Sequence, residues 1–349
     1  MCSSECLPVV SRGLESLLGD TRLRTGSALK YYCITSVVLV MVGFAPTFAG
    51  EPLLNEPLGA LPTVESLQLD PAKIALGKRL FHDTRLSKDL TTSCASCHDL
   101  SKAGVDNLKR SLGVRRQEGG INAPTVFNSG LNFKQFWDGR ATTLEEQIDQ
   151  VVHNPLELDM TWSEIVERLN ADTELAQQFK VSYPEGLGQN SIQEAIATFE
   201  RSLLTPSRLD RYLKGDEKAL SESEQKGYQL FKSYGCIACH QGVNIGGNMF
   251  QKFGALNDYF TVRGNLTKAD LGRFNVTQKE ADRHVFKVPS LRNVALTAPY
   301  FHDGSAESLE AAIEVMFRHQ LGRTAPDEDK ALIAQFLKTL TGETVGAKP

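Results

Sequence analysis

Cys94-Ala95-Ser96-Cys97-His98 and Cys236-Ile237-Ala238-Cys239-His240 are two copies of one short motif, Cys-x-x-Cys-His. That spacing is the attachment pattern of haem c. Each thiol adds to one vinyl group of a porphyrin, and the next histidine falls beneath the iron as its proximal ligand. A zinc site would need four ligands converging on one metal, whereas each cysteine pair here has its own histidine, and the copies lie 142 residues apart. A chain that wraps two porphyrins must build two enclosures, and no other feature restricts its fold as much.

The remaining cysteines, Cys2, Cys6 and Cys33, fall in the first fifty residues. Arg22, Arg24 and Lys30 precede an apolar run, Tyr31 to Ala45, and the small residues Thr47 and Ala49 follow. This is the layout of a secretory leader, residues 1–49, with cleavage expected after Ala49. The run is short for a membrane span, which takes about 20 residues; a retained anchor is the alternative. Without the leader no cysteine remains for a disulfide, so the exported chain is not a disulfide scaffold. A net charge of −4 argues against a nucleic-acid binder, which is normally basic.

The two halves repeat beyond the motifs. Leu76-Gly77-Lys78-Arg79-Leu80-Phe81 stands before the first and Lys226-Gly227-Tyr228-Gln229-Leu230-Phe231 before the second, each reading as the end of an amphipathic helix. Behind the motifs, Pro124, Asn128, Phe136, Asp138, Gly139, Ala141, Leu144, Glu145 and Ile148 recur 165 residues later, without a gap, as Pro289, Asn293, Phe301, Asp303, Gly304, Ala306, Leu309, Glu310 and Ile313. Such a register implies two copies of one domain. Apolar residues at three- and four-residue steps predict helices over 163–170, 192–204, 308–317 and 327–339. No run of alternating strands stands out, 242–254 reads as a glycine-rich loop, and 205–215 reads as a hinge between halves. The expectation is an all-α chain of two cytochrome c-like domains, residues 50–205 and 206–349, each enclosing one covalent haem c.

The repeat is most informative where it breaks. Trp137 corresponds to His302, and Val151 to Met316. A methionine thioether is a usual sixth ligand of cytochrome c iron and raises its potential. Met316 therefore suits the second haem, with Met249 and His319 as alternatives and plain core as the bland reading. The first half has no methionine at the matching point; Met160 is the other candidate there. Its iron is then expected to keep an open face. Glu157, in His153-Asn154-Pro155-Leu156-Glu157, and Trp137 could each be ordinary, a solvated charge and a core indole.

These residues, with LGKRLFHDTRLS, APTVFN, QFWDGR, LLTPSRLDRYLKG, GVNIGG, PSLRNVALTAPYFHDG and FLKTLTGE, make the chain resemble the bacterial di-haem cytochrome c peroxidases from roughly Asp70 to Gly342. The resemblance implies a peroxidatic haem on Cys94, Cys97 and His98, and an electron-transfer haem on Cys236, Cys239, His240 and Met316. It implies Trp137 between the haems, Glu157 and Gln147 in the peroxide pocket, and His302 near the electron path. It also implies one calcium ion at Asn122, Thr297 and Pro299, the last two through backbone carbonyls. Many members carry a removable histidine ligand in the loop after the first motif. Here that loop is Ser111-Leu112-Gly113-Val114-Arg115-Arg116, with Val114 at the histidine's place, and no histidine lies between His98 and His153.

The expected activity is reduction of hydrogen peroxide to water in the periplasm by a homodimer, with electrons from a small cytochrome c or a cupredoxin. Two other readings stand beside it. One is the related enzyme that oxidises tryptophans of methylamine dehydrogenase, which uses tyrosine where this chain has Met316. The other is a non-catalytic electron carrier.

Overall fold

Two pairs of helices, each crossing at a glycine, organise the chain. The computed structural model describes residues 56–343; the expected leader, residues 1–49, lies outside them. The helix Pro71–Phe81 starts on Asp70, whose side chain accepts the Ala72 N–H, with proline in its first turn. It packs on the helix Gln189–Ser202. A Cβ on Gly77 would sit 1.9 Å from the Ala195 carbonyl oxygen, so this crossing has no room for a side chain. The helix Glu222–Ser233, opened by a Ser221/Glu224 capping box, packs on Asp327–Lys338 in the same way. Here a Cβ on Gly227 would meet the Leu332 oxygen at 2.1 Å.

Each pair carries its own apolar core. Leu80, Phe81, Ile148, Val152, Ile165, Leu169, Phe179, Ile192 and Phe199 fill the first, and Cys94 and Ala95 pack against it. Leu209, Tyr228, Phe231, Ile313, Phe317, Ile333 and Phe336 fill the second, and Cys236 and Ile237 pack against that. Burial of each large apolar side chain contributes roughly 1.5–3 kcal/mol.

The 165-residue repeat is written into the backbone. Asn128 and Asn293 both take left-handed conformations, φ 60° and 62°. Phe136 and Phe301 do so at 65° and 69°. Short bridges join Gln135 to Ala141 and Tyr300 to Ala306. Both asparagine side chains converge on one hydroxyl: Asn128 Nδ2 donates to Thr205 Oγ1 at 2.7 Å, and Asn293 Nδ2 to the same oxygen at 2.9 Å.

That convergence corrects the hinge expectation for 205–215. Thr205, Ser207, Leu209 and Asp210 are buried, and Arg208–Leu213 is a helix. Asp210 pairs with the fully buried Arg292 at 3.0 Å. The segment anchors both halves rather than flexing between them. Its polar, proline-containing sequence looks loop-like because the partners of those polar groups lie far away in the chain.

The four expected helices are present as Trp162–Asn170, Gln189–Ser202, Leu309–Val315 and Asp327–Lys338. The third continues as a π-helical turn, Met316–Gln320. The chain is largely helical, with one addition. Strands β1 (Phe250–Lys252) and β2 (Val285–Lys287) pair antiparallel, and β1 lies inside the stretch expected to be only loop. Three residues are too few to show an alternation. Among the described residues no helix is long and apolar enough to cross a membrane.

Candidate active site

The first motif forms a single helical turn, Cys94–Cys97, capped by Ser93. This turn packs Cys94 against the first core. His98 follows in a non-helical conformation, and its Nδ1 is 3.2 Å from the Gly104 carbonyl. A ring nitrogen bonded to a carbonyl carries the proton, which leaves Nε2 with a free lone pair for a metal. Burial holds the imidazole below its ordinary pKa and therefore neutral. The thiols are pushed up by burial, Cys97 to about 11, and the charge of Glu157 adds to the rise at each. Glu157 is thus within electrostatic reach of both.

Glu157 is half-buried. Its Oε1 accepts from Asn154 Nδ2 at 2.7 Å. Desolvation pushes its carboxyl above the usual range, against the Arg140 charge and the Asn154 hydrogen bond. A carboxyl with its proton affinity raised by burial is better suited to take up a proton than an exposed one. Gln147 and Val151, four residues apart in the helix Leu144–His153, share one face of it. Val151 packs on the first core. Val114 is fully buried, and its N–H donates to the Glu157 carbonyl at 2.9 Å. At Gly113 an added Cβ would lie 2.0 Å from the Leu156 oxygen. The loop after the first motif is thereby pressed onto the segment carrying Glu157. Met160 is a buried member of the first core.

The second motif faces a largely apolar cavity. Cys236, Cys239, His240 and Met316 all line it. Met316 begins the π-helical turn, closed by the Leu321 N–H on the Met316 carbonyl at 2.9 Å. Such turns add a residue to a helix and are frequent at functional sites. The two alternatives, Met249 and His319, are not among the lining residues. His319 is buried, with Nδ1 at 3.1 Å from the Asn257 carbonyl and its ring edge-on to Tyr259. Burial lowers His240 to about 4, with the Ile245 and Pro289 carbonyls facing the ring. Its Nδ1 is buried without a hydrogen bond in this structure.

Between the motifs the repeat closes on itself. The Asn122 N–H donates to the His302 carbonyl at 2.8 Å, and the Lys287 N–H to the Trp137 carbonyl at 2.8 Å. Asn122 and Lys287 are repeat partners, as are Trp137 and His302, so this is one hydrogen bond made twice. Trp137 Nε1 donates to the Asn122 carbonyl at 2.9 Å, and the Trp137 and His302 rings meet edge to face, centroids 6.3 Å apart. His302 Nε2 is 2.8 Å from Asp270 Oδ1. Arg263 bridges Asp270 and Asp303 at 2.7 and 2.5 Å. That arginine offsets the charge of an otherwise metal-like cluster of Asp270, His302 and Asp303. Asn122, Thr297 and Pro299 line the same cavity as Met316.

Residues 71–218 match the family of di-haem cytochrome c peroxidases. Over 321 residues the chain is 44% identical to a cytochrome c551 peroxidase of Nitrosomonas europaea, covering 90% of this chain and 93% of that one. The chain belongs to the di-haem cytochrome c peroxidase family. It is also 48% identical over 290 residues to a cytochrome c peroxidase of Escherichia coli, covering 82% of this chain and 62% of that longer protein. The crystal structure of a MauG-like protein associated with microbial copper homeostasis matches with a TM-score of 0.73 at 31% identity, over 84% of this chain and 95% of that one.

A di-haem family implies two haem c groups, and the donor sets fit them. Each motif supplies two thiols and a buried imidazole beside an apolar core, and the unbonded His240 nitrogen is the kind of group that a reoriented ligand histidine satisfies. Sequence reasoning missed three side chains around these sites. Arg140 and Asn154 tune Glu157, and only their fold-dependent proximity could reveal it. Lys287 is the repeat partner of Asn122, and the constant offset of 165 residues already pointed to it.

Proposed function

We propose that this chain reduces hydrogen peroxide to water as a di-haem cytochrome c peroxidase, using electrons from a small periplasmic cytochrome c or cupredoxin. The observation that carries the reading is the inequality of the two motif sites. Met316 shares a cavity with His240, whereas the repeat puts Val151, and the loop puts Val114, where the first half could have offered a ligand. Residues 50–205 would form the peroxidatic domain and 206–349 the electron-transfer domain. His98 would hold the first iron, and His240 with Met316 the second. The first haem supplies the metal at which peroxide is reduced, and the second supplies electrons.

The chain's own residues supply the rest. Glu157 takes a proton from the near oxygen of peroxide and returns it to the departing one; such positioned transfer contributes about 10²–10⁴-fold. Gln147, on the helix face it shares with Val151, orients the bound peroxide. Asn154 and Arg140 set the carboxyl's proton affinity. Two further protons and two electrons turn one peroxide into two waters. Trp137 lies on the electron route, and its indole N–H bonds to a carbonyl that cannot accept a proton, so it stays protonated while charge passes. Val114 leaves nothing to displace, so the oxidised enzyme needs no prior reduction before peroxide binds.

A calcium ion at Asn122, Thr297 and Pro299 is part of the proposal, because these residues gather at one cavity where the two halves exchange hydrogen bonds. So are export by residues 1–49 and a homodimer. The likeness to a MauG-like protein favours a second reading, oxidation of residues on a partner protein; the methionine at position 316 speaks against it. Turnover of peroxide with a reduced cytochrome, on protein whose denatured mass contains two haems, tests the proposal. One haem, or no turnover, contradicts it.

A further inference from the structure

Lys287 is a buried cation without a partner. It ends strand β2, is 7% exposed, and lines the cavity that holds His240 and Met316. Its backbone N–H is used by the Trp137 carbonyl. Among the described residues its ammonium has no carboxylate within 4.0 Å, and nothing but burial acts on it, lowering it to about 8. A desolvated ammonium without a counter-charge is costly, and a carboxylate brought into the cavity would offset that cost. The cavity lining contains no aspartate or glutamate. Its other cations are accounted for: Lys252 is exposed, and His302 is already bonded to Asp270.

A haem c brings two carboxylates, its propionates, on the edge of the ring opposite the thioether bonds. One of them entering this cavity would meet a single buried cation and no competing acid. We propose that Lys287 binds a propionate of the haem attached at Cys236 and Cys239, and so helps set the potential of that haem. This rests on the two-haem reading above. The strand geometry supports it. Lys287 closes the strand two residues before Pro289, and the Pro289 carbonyl faces the His240 ring. Lys287 and Pro289 both line the cavity that Cys236, Cys239 and His240 line, so the lysine stands at the wall that meets the haem. Its repeat partner in the first half is Asn122, which is uncharged and bonded to the Leu108 carbonyl at 2.9 Å. The device belongs to the second half alone.

The sign of the effect follows from charge. Reduction of a ferric haem removes one positive charge, so a nearby ammonium favours the reduced form and raises the potential. Lys287→Met removes the charge at nearly constant size, and Lys287→Arg keeps it. Both are purified as holoproteins, haem content is read from the denatured mass, and each haem is titrated spectroelectrochemically at pH 7. The proposal expects two haems in both variants, a lower potential for the methionine-ligated haem in Lys287→Met, and a value near the parent's in Lys287→Arg. Loss of the second haem in Lys287→Met but not in Lys287→Arg also supports it. An unchanged second potential, a shift confined to the first haem, or the same loss in both variants overturns it. A parent protein with fewer than two haems would instead overturn the two-haem reading itself.

Discussion

At the scale of single residues, the first motif has one half-buried carboxyl, Glu157, and one buried carboxyl, Glu200, nearby; the first is proposed to work and the second to be structural. Glu157 is within electrostatic reach of both thiols, with its proton affinity raised by burial. Glu157→Gln keeps its shape and its Asn154 neighbour but cannot carry a proton. We expect unchanged haem content and a loss of roughly 10²-fold or more in peroxide turnover, read by steady-state oxidation of a reduced cytochrome. Near-normal turnover would make Glu157 a bystander. Glu200 is different: burial pushes it up to about 8, the Arg201 charge opposes this and the Glu145 charge adds to it. Its pKa is raised on folding, so its contribution is complete below the unfolded value near 4.5 and fades as pH rises through about 8. Stability should fall across that window by at most about 1.4 kcal/mol per pH unit. Glu200→Gln should flatten this part of a Tm-against-pH curve; an identical slope would contradict the assignment. The placing of Glu157 near the first motif was legible from sequence through family likeness, and its role stays a proposal. Glu200 was not legible, because an exposed and a buried glutamate look alike in a helix until its neighbours are known.

At the scale of elements, glycine crossings and the π-turn carry the architecture. Gly227→Ala drives a methyl into the Leu332 carbonyl, and overpacking of this kind costs about 1–3 kcal/mol. Gly120, with nothing within 4 Å of its added Cβ, is the control and should change stability by less than about 0.5 kcal/mol. Chemical denaturation separates the two; equal effects would dismiss the crossing as a constraint. Met316 stands at the start of the π-turn, so its side chain is aimed by one extra residue in the helix. Met316→His should keep a low-spin second haem but lower its potential, since methionine ligation raises it. An unchanged potential would point to a different ligand. The helices were legible because their apolar spacing spans several turns. The strands β1 and β2 were not, being three residues each. The 205–215 segment was misread because Thr205 and Asp210 find their partners, Asn128, Asn293 and Arg292, far away in sequence.

At the scale of the molecule, one repeat has been used for two purposes. The halves share glycine crossings, left-handed asparagines and the paired hydrogen bonds of Asn122 and Lys287, yet they differ at 137/302, 151/316 and 122/287. The sequence displayed the repeat and its breaks at 137/302 and 151/316, because an unbroken offset exposes both what is kept and what is changed. It could not display the meeting of the halves at Thr205 or the burial of Lys287, which depend on how the copies pack. The proposed function rests on those differences: Met316 would close an electron-transfer site, and Val114 and Val151 would leave a peroxide site open. The EPR spectrum of the fully oxidised protein reads that division directly. The account predicts one high-spin ferric haem and one low-spin ferric haem in equal spin count, with no reductant added. Two low-spin signals would contradict it, since a sixth ligand would then occupy the iron that Val114 and Val151 are claimed to leave open.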